Sequence, residues 1–329
     1  MEQNRKVLLR ATDLCQWFPV KKMFYEKQKY VKAVDHVSFE LYEGETLGVA
    51  GESGCGKSTL IRTCLRLLKP TSGTVEFDGQ DISRLSKKEL RAIRRNMQIV
   101  FQDPYSALDN RCRVGNIIAE PLLINHLCGN KAGRMERVRE LMQDVGLDPS
   151  YTDRFPHEFS GGQRQRIVIA RALATTPKLL MCDEAVSALD VSVRAQVLNL
   201  LKKLQREYSL TYLFVSHDMS VVEHICDRVI IMYLGRIMEI GSKRDIFGDP
   251  QHPYTQALLS AVPSANEDVP PEKRIILKGR VPSPVDPPPG CVFHTRCRYA
   301  EERCKTETPV LTQVGENGHC VACHRCSGQ

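Results

Sequence analysis

The sequence has no run of apolar residues long enough to cross a membrane as a helix. A spanning helix needs roughly 18–20 such residues, whereas the longest candidates, such as 229–234, have only the length of a strand. The first six residues also lack the charged-then-apolar pattern of a secretory signal. We therefore expect a soluble chain in a reducing compartment, where thirteen cysteines need an explanation other than disulfides.

The sequence also has little excess charge of either sign. Its formal net charge of +7 is modest for 329 residues, and such a balance does not by itself indicate nucleic-acid binding. No sustained heptad pattern is present either, so a long coiled coil is not expected. We predict no nucleic-acid partner.

What the sequence does contain is a complete phosphate-binding loop at 51–58, with the pattern G-x-x-x-x-G-K-[ST]. A strand-like segment precedes the loop and a helix-like segment follows it, as the motif requires. Its glycines turn backbone N–H groups toward one anion, Lys57 reaches the β- and γ-phosphates, and Ser58 holds Mg²⁺. The residues expected to contact the nucleotide are Gly51, Ser53, Gly54, Cys55, Gly56, Lys57, Ser58 and Thr59. The loop therefore predicts binding of ATP or GTP.

The spacing of apolar residues predicts an α/β fold. Period-2 runs in the first hundred residues indicate an N-terminal antiparallel β portion, and helical spacing follows from about 108 to 173. Continuous apolar strands then alternate with a helix at 195–207, which is typical of a buried parallel sheet. We assign residues 1–261 to a nucleotide-binding domain that contains a helical subdomain at about 104–172.

The composition changes after this domain. Residues 262–290 contain eight of the eighteen prolines, which favours a semi-rigid linker. Residues 291–329 hold six of the thirteen cysteines and little apolar material, too little for a hydrophobic core of their own. The sequence therefore predicts a Cys-rich C-terminal extension that needs a cross-link, such as a bound metal or cluster, to stabilise it.

Two polar segments are candidates for the chemistry. Asp183 and Glu184 follow an apolar strand, where the first acid can hold Mg²⁺ through water and the second can orient or deprotonate the attacking water. A polar turn is the alternative. Ser160, Gly161, Gly162 and Gln163 begin a helical stretch and form a second anion-binding helix start. One nucleotide does not need two such loops from one chain, which suggests that this loop completes a partner's site.

The chain resembles the ATP-binding cassette (ABC) family at these positions. Residues 160–163 look like its signature motif, with Phe159 where Leu is usual, and 187–190, ending in Asp190, resemble the D-loop. Gln102 resembles the Gln loop residue that contacts Mg²⁺, and His217 resembles the switch histidine that contacts the γ-phosphate. The resemblance implies an ATPase that works as a sandwich dimer, with Glu184, His217 and Gln102 in catalysis.

The family also stacks an aromatic residue on adenine. Phe18 is the nearest match in position, Trp17 the second, and Tyr30 or plain core packing are the alternatives.

Several segments narrow the resemblance to the second ATPase subunit of bacterial dipeptide and oligopeptide importers. They are residues 117–122, 184–192, 252–259 and the stretch from Pro282 onward. The resemblance implies a sister ATPase, two membrane permeases and an extracytoplasmic peptide-binding protein, with this chain at the cytoplasmic face of the membrane. Related systems carry nickel or glutathione, and a soluble ABC protein that acts on ribosomes or DNA is a further alternative.

The tail cysteines have several interpretations. Cys291, Cys297, Cys304 and Cys323 look like the four ligands of a [4Fe–4S] cluster in these importers, with Cys320 and Cys326 as alternates. Zinc in a Cys₄ site and unligated thiols are the other possibilities. The tail is then a structural clasp or an iron or redox sensor. In the phosphate loop, Cys55 is either a redox-sensitive thiol of lowered pKa or a spectator.

Overall fold

The computed structural model describes residues 5–21, 28–261, 275–315 and 318–326. Its strands are β1 (Val7–Pro19), β2 (Tyr30–Tyr42), β3 (Thr46–Ala50), β4 (Ser72–Phe77), β5 (Gln80–Asp81), β6 (Met97–Val100), β7 (Leu179–Asp183), β8 (Thr211–Val215), β9 (Arg228–Tyr233), β10 (Arg236–Ser242), β11 (Thr312–Gln313) and β12 (Cys320–Val321). Its helices are α1 (Lys57–Cys64), α2 (Lys87–Arg94), α3 (Pro104–Ala107), α4 (Val114–Ile124), α5 (Lys131–Asp144), α6 (Gly161–Leu173), α7 (Val191–Tyr208), α8 (Met219–Ile225), α9 (Lys243–Gly248), α10 (Pro253–Ser260) and α11 (Glu302–Thr306). None of the helices in these ranges is long and apolar enough to span a bilayer.

The chain forms two compact units. The first consists of the residues up to Tyr42, of Thr46–Arg84 and of the residues from Ser216 on. The second consists of Glu43–Glu45 and Leu85–Val215.

The first unit contains the antiparallel β portion that the period-2 runs predict. Strands β2, β1, β4 and β5 form one antiparallel sheet in that order. In a second set, β3 pairs in parallel with β9, and β10, β12 and β11 continue antiparallel from β9. All five residues of β3 are buried, as expected for a strand covered on both faces.

The second unit consists of a three-stranded parallel sheet and most of the helices. Strands β6, β7 and β8 pair in parallel, and β7 and β8 are buried along their whole length. Helices α3 to α6 lie between β6 and β7 in the sequence, and α4, α5 and α6 pack around Ile118, Leu141 and Ile167, which are fully buried. The α/β fold predicted from the apolar spacing is confirmed.

The described part of the tail belongs to the first unit. Strand β12 extends the edge of β10, and the backbone N–H of Ala322 donates to the carbonyl of Met238 at 2.8 Å. Phe293 is 1% exposed and its ring centroid lies 5.3 Å from those of both Tyr233 and Tyr254. A separate Cys-rich extension is therefore not confirmed. Instead of folding around a core of its own, the described tail packs its apolar residues and one strand against the first unit, and its boundary at residue 291 stays a prediction.

A buried carboxylate ties the tail to β10. Glu239 is 0% exposed and accepts hydrogen bonds from the backbone N–H groups of Gln251 and His252. It also binds His319 Nε2 from the tail at 2.7 Å. Burial alone would lower the pKa of His319, but the hydrogen bond to Glu239 and its charge outweigh burial and raise that pKa. The contact therefore favours the protonated imidazole.

The neighbouring His252 makes the first unit sensitive to acid. Burial lowers the pKa of His252 to about 4, against the opposing charge of Glu239. The unfolded chain takes up this proton near pH 6.5 and the folded chain near pH 4, so stability falls as the pH falls between these values. The pKa of His319 is raised in the folded chain. Its contribution to stability is therefore complete below pH 6.5 and is lost only as the pH rises through the raised pKa. From pH 7 to 5, we expect the free energy of unfolding to fall by about 2 kcal/mol through His252.

The measurement is denaturant unfolding at pH 7, 6 and 5 for the chain and for a His252→Asn variant. Asparagine keeps a side-chain acceptor for the Tyr254 N–H, which His252 Nδ1 now accepts at 3.0 Å. We expect a flatter pH profile for this variant and an unchanged profile for His157→Asn, which alters an exposed histidine. An equally steep loss in His252→Asn would contradict the assignment.

Candidate functional site

The phosphate loop connects β3 to α1 in the first unit. Gly51, Gly54 and Gly56 have φ angles of 150°, 79° and 108°, conformations that favour glycine. A Cβ at Gly51 would lie 2.2 Å from the carbonyl oxygen of Met232, and one at Gly56 would lie 1.9 Å from that of Ala33. The loop is thus pressed against neighbouring backbone on two sides. These two glycines are required for space as well as for conformation.

Lys57 holds its ammonium group inside the loop. The residue is 4% exposed, and Nζ donates to the carbonyl oxygens of Gly51 at 2.8 Å and Glu52 at 3.0 Å. Gly56 caps α1 without any side-chain hydrogen bond, and the N-terminus of a helix favours the binding of an anion. Ser58 and Thr59 follow in the first turn and are half-buried, while Ser53 is exposed at the loop surface. Lys57 therefore lies buried inside the loop that carries the predicted phosphate-binding residues.

Cys55 lies beside that cation but is not activated by it. Its Sγ is 3.8 Å from Lys57 Nζ. Burial raises the pKa of the Cys55 thiol, and the opposing charge of Lys57 does not cancel the effect. The thiol stays protonated near neutral pH, which supports the spectator interpretation.

The loop of His217 lies next to β3 in the same unit. The backbone N–H of Ser216 donates to the carbonyl of Val49 at 3.2 Å, which fixes the chain one residue before His217. Asp218 caps α8 by accepting from the backbone N–H groups of Ser220 and Val221. His217 itself is exposed between these two anchors. The position suits a side chain that meets a ligand from solvent.

The acidic pair lies at the end of β7 in the second unit. Asp183 is 2% exposed, whereas Glu184 is half-buried and has a φ of 50°. The turn is held by hydrogen bonds from the Glu184 N–H to the Val215 carbonyl and from the Ser187 hydroxyl to the Glu184 carbonyl. Gln102 Nε2 donates to Glu184 Oε2 at 2.9 Å. The structure thus brings together two residues predicted separately, 82 positions apart in the sequence.

The signature segment forms the N-terminus of α6. Ser160 and Gln163 make a reciprocal capping box, with the Ser160 N–H donating to Gln163 Oε1 at 3.0 Å and the Gln163 N–H donating to Ser160 Oγ at 3.4 Å. A Cβ at Gly162 would lie 2.4 Å from Val193 Cγ1 of α7, and one at Gly161 would have room. Asp190 caps α7 and is exposed. The signature segment and the start of α7 therefore form one packed surface, a contact that sequence spacing did not indicate.

The candidate adenine-stacking residues lie at the paired ends of β1 and β2. Phe18 is half-buried opposite Val31. Trp17 is engaged within the first unit, because its Nε1 donates to Asp35 Oδ1 at 3.0 Å and the Lys32 ammonium lies 4.8 Å from its ring centroid. Tyr30 is 41% exposed. Trp17 is thus held by contacts within the first unit, and the stacking role of Phe18 stays a prediction.

The structure gathers the tail cysteines without making a compact ligand set. Cys291 and Cys323 are buried. Burial raises the pKa of Cys291 to about 11, with a smaller contribution from the thiols of Cys304, Cys323 and Cys297. Within the described ranges, the group whose ligand atoms lie within 4.8 Å of one another is Cys15, Asp35 and His36, which includes no tail cysteine.

Known proteins match almost the whole chain. Residues 34–187 match the family described as ABC transporter, and residues 238–304 match the family described as oligopeptide/dipeptide transporter, C-terminal region. The chain is 53% identical over 324 residues to the oligopeptide transport ATP-binding protein AppF of Bacillus subtilis (strain 168), with 98% of both chains covered. It is 50% identical over 325 residues to the oligopeptide transport ATP-binding protein OppF of Salmonella typhimurium, which covers 98% of this chain and 97% of the relative.

A solved structure also matches the fold. The dimeric structure of MJ0796, described as a bacterial ABC transporter cassette, superimposes with a TM-score of 0.63 at 30% identity. The match covers 72% of this chain and 99% of that one.

The predicted [4Fe–4S] cluster is wrong. The relatives are named as ATP-binding proteins of transport systems, and neither these names nor the family descriptions mention a cluster. The tail does not need a metal staple, because strand pairing with β10 and the burial of Phe293 hold it in place. Among the described residues, no compact set of four cysteines is present to bind zinc. The iron-sensor interpretation depended on the cluster and is therefore abandoned.

The remaining observations agree with one another. A phosphate loop, an acid pair at the end of a strand and a capped signature helix are all present, and Gln102 donates to Glu184 of the acid pair. The relatives cover 98% of the chain. The chain belongs to the ATP-binding cassette family of transporter ATPases.

Proposed function

We propose that this chain is the ATP-hydrolysing subunit of a bacterial importer of dipeptides and oligopeptides. The observation that carries the proposal is the match of residues 238–304 to the C-terminal region of oligopeptide/dipeptide transporters, added to a complete ATP-binding core. The relatives named for oligopeptide transport extend over 98% of the chain. A soluble ABC protein that acts on ribosomes or DNA offers no reason for this C-terminal match.

ATP is the substrate, and each predicted residue has a task in its hydrolysis. Lys57 and the loop N–H groups bind the phosphates and hold them in position. Glu184 accepts the proton of the attacking water, and His217 contacts the γ-phosphate. Asp183, Gln102 and Ser58 supply the oxygen donors that Mg²⁺ prefers. When bound, Mg²⁺ neutralises charge that develops on the phosphates.

The site is completed by a second ATPase subunit. Ser160 caps α6 and Gly162 lies in its first turn, and the N-terminus of a helix favours the binding of an anion, as in the phosphate loop. In the proposed dimer, this surface covers the nucleotide held by the partner's phosphate loop, and Asp190 lies beside it on α7. The dimeric state of the related MJ0796 cassette supports this arrangement. We propose a heterodimer with a sister ATPase.

The proposed complex also contains two membrane permeases and an extracytoplasmic peptide-binding protein, with this chain at the cytoplasmic face. A cavity of about 300 Å³ in the second unit supports a docking site for a permease. Phe101 and Ile124 line it and are 38% and 46% exposed, and the lining includes the neighbouring Pro121. Phe101 directly precedes Gln102. A permease segment bound in this cavity would therefore be coupled to the hydrogen bond between Gln102 and Glu184.

If a permease binds at this cavity, Ile124→Asp should impair peptide transport without impairing ATP binding. We expect peptide uptake by the assembled importer to fall at least about tenfold, because an acid in an apolar contact loses burial and adds desolvation cost. ATP binding by the variant chain should stay unchanged. Leu67→Asp is the matched control, since Leu67 is similarly exposed in the first unit. Normal uptake with Ile124→Asp would exclude this cavity as the docking site.

The experiment for the function itself is reconstitution with the sister ATPase, the permeases and the binding protein in lipid vesicles. Uptake of a labelled tripeptide and phosphate release are measured together, and Ni²⁺ and glutathione are tested as alternative cargo. Peptide-stimulated ATP hydrolysis with peptide accumulation is expected. Uptake of Ni²⁺ or glutathione without peptide uptake would reject the peptide assignment and keep the ATPase.

A further inference from the structure

An arginine of the C-terminal tail reaches into the phosphate loop. Arg296 donates from Nη1 to Glu52 Oε2 at 2.8 Å and from Nη2 to Glu52 Oε1 at 3.2 Å. Its side chain is 8% exposed and that of Glu52 is 26% exposed. Such a bidentate, mostly buried pair fixes both position and charge more strongly than a surface ion pair. Glu52 is the second residue of the phosphate loop, so the tail is bound directly to the ATP site.

The surrounding aromatic residues hold this contact in place. Tyr254 accepts a hydrogen bond from the Glu52 backbone N–H at 2.9 Å, and Arg296 Nη1 lies 3.5 Å from the Tyr233 hydroxyl. The rings of Tyr233 and Tyr254 pack with that of Phe293, three residues before Arg296. Glu52 is therefore fixed through both its backbone and its side chain.

The same residue also contacts the phosphate-binding lysine. The Glu52 carbonyl accepts from Lys57 Nζ at 3.0 Å, so a chain of contacts runs from Arg296 through Glu52 to Lys57. A carboxylate in this loop opposes the binding of a triphosphate unless its charge is compensated. The bidentate arginine supplies that compensation from 244 residues away in the sequence.

We propose that Arg296 is a positioning residue for ATP, which neutralises Glu52 and sets the affinity of the phosphate loop for nucleotide. The docked tail is thereby part of the ATP site, and its release from the first unit weakens ATP binding. This role of Arg296 affects nucleotide affinity alone and is independent of the transported cargo.

The test measures the ATP dissociation constant of the 329-residue chain with Mg²⁺ by titration with a fluorescent ATP analogue. Arg296→Gln leaves Glu52 uncompensated, and we expect about tenfold weaker binding. Glu52→Gln removes the opposing charge, so binding should be equal to or tighter than that of the unaltered chain. The Glu52→Gln/Arg296→Gln double variant should recover most of the lost affinity. Arg296→Lys, which keeps the charge but not the bidentate geometry, should bind ATP more tightly than Arg296→Gln and more weakly than the unaltered chain.

Arg298→Gln is the matched control, because Arg298 lies two residues away and is exposed, with its guanidinium 4.7 Å from the Tyr299 ring centroid. A double variant as weak as Arg296→Gln would overturn the proposal, since a purely structural loss is not repaired by removing the second partner. Unchanged affinity in Arg296→Gln would overturn it as well. Thermal denaturation shows whether Arg296→Gln is folded. If it is not, Glu52→Gln still tests the proposal, because weaker ATP binding by Glu52→Gln would contradict the charge argument.

Discussion

Replacing Glu184 with glutamine is expected to leave ATP binding intact and to lower ATP turnover by the assembled importer about a thousandfold. General base catalysis contributes roughly a hundred- to ten-thousandfold to rates, and the amide cannot accept the proton. The substitution removes the basic carboxylate and changes the shape of the side chain very little.

The surroundings of Glu184 explain why the variant should fold normally. Glutamine is nearly isosteric with glutamate, and its amide oxygen can accept the hydrogen bond that Gln102 Nε2 now donates at 2.9 Å. The left-handed backbone at this position is held by Val215 and Ser187 through main-chain groups, which the substitution does not touch. The change therefore isolates basicity from geometry.

Two measurements check this expectation. Titration with an ATP analogue should give the same dissociation constant for Glu184→Gln and the unaltered chain, while phosphate release from the assembled complex is almost abolished. Glu223→Gln is a suitable control, since it makes the same chemical change on an exposed face of α8. Near-normal hydrolysis by Glu184→Gln would rule out Glu184 as the base.

The parts of the site that the sequence predicted are those with fixed local spacing. Residues 51–58 form their loop between a strand and a helix because glycine conformation and helix polarity act over a few residues. The same holds for Asp183 at the end of β7 and for Ser160 as the cap of α6. In each case the chemical requirement and the local backbone requirement select the same residues.

The parts that the sequence did not predict depend on contacts between distant segments. Nothing in the spacing around Arg296 pairs it with Glu52, and nothing around Gly162 indicates Val193 as its neighbour. These contacts follow from how the tail and α7 pack, which single-sequence periodicity does not encode.

The tail cysteines illustrate the opposite error. Four of them resemble the ligands of a cluster, but a match of cysteine positions in the sequence does not show that the thiols bind a metal. Cys291 and Cys323 lie beside Val292 and Ala322 in the interior, where free cysteine behaves as a small apolar residue. The few apolar residues of the tail, such as Phe293, pack on the first unit instead of forming a separate core.

The second large effect is expected for Gly56→Ala. The new Cβ would lie 1.9 Å from the Ala33 carbonyl oxygen, far inside van der Waals contact, and the φ of 108° strains any residue with a side chain. Neither group can yield cheaply, because Ala33 lies in β2 and the Gly56 carbonyl accepts the first hydrogen bond of α1 from Leu60. We expect the phosphate loop to shift, with ATP binding at least about a hundredfold weaker and a loss of about 2–4 kcal/mol in stability.

Gly79→Ala separates these two causes. Gly79 has a similar backbone strain, with a φ of 81°, but a Cβ there would meet no atom within 4 Å. Strain alone should cost about 1 kcal/mol of stability and leave ATP binding unchanged. Measuring ATP affinity and thermal unfolding for both variants therefore distinguishes crowding from strain. Normal ATP binding by Gly56→Ala would mean that the loop can retreat from β2 without harm, and that the close approach of these two backbones does not position the phosphates.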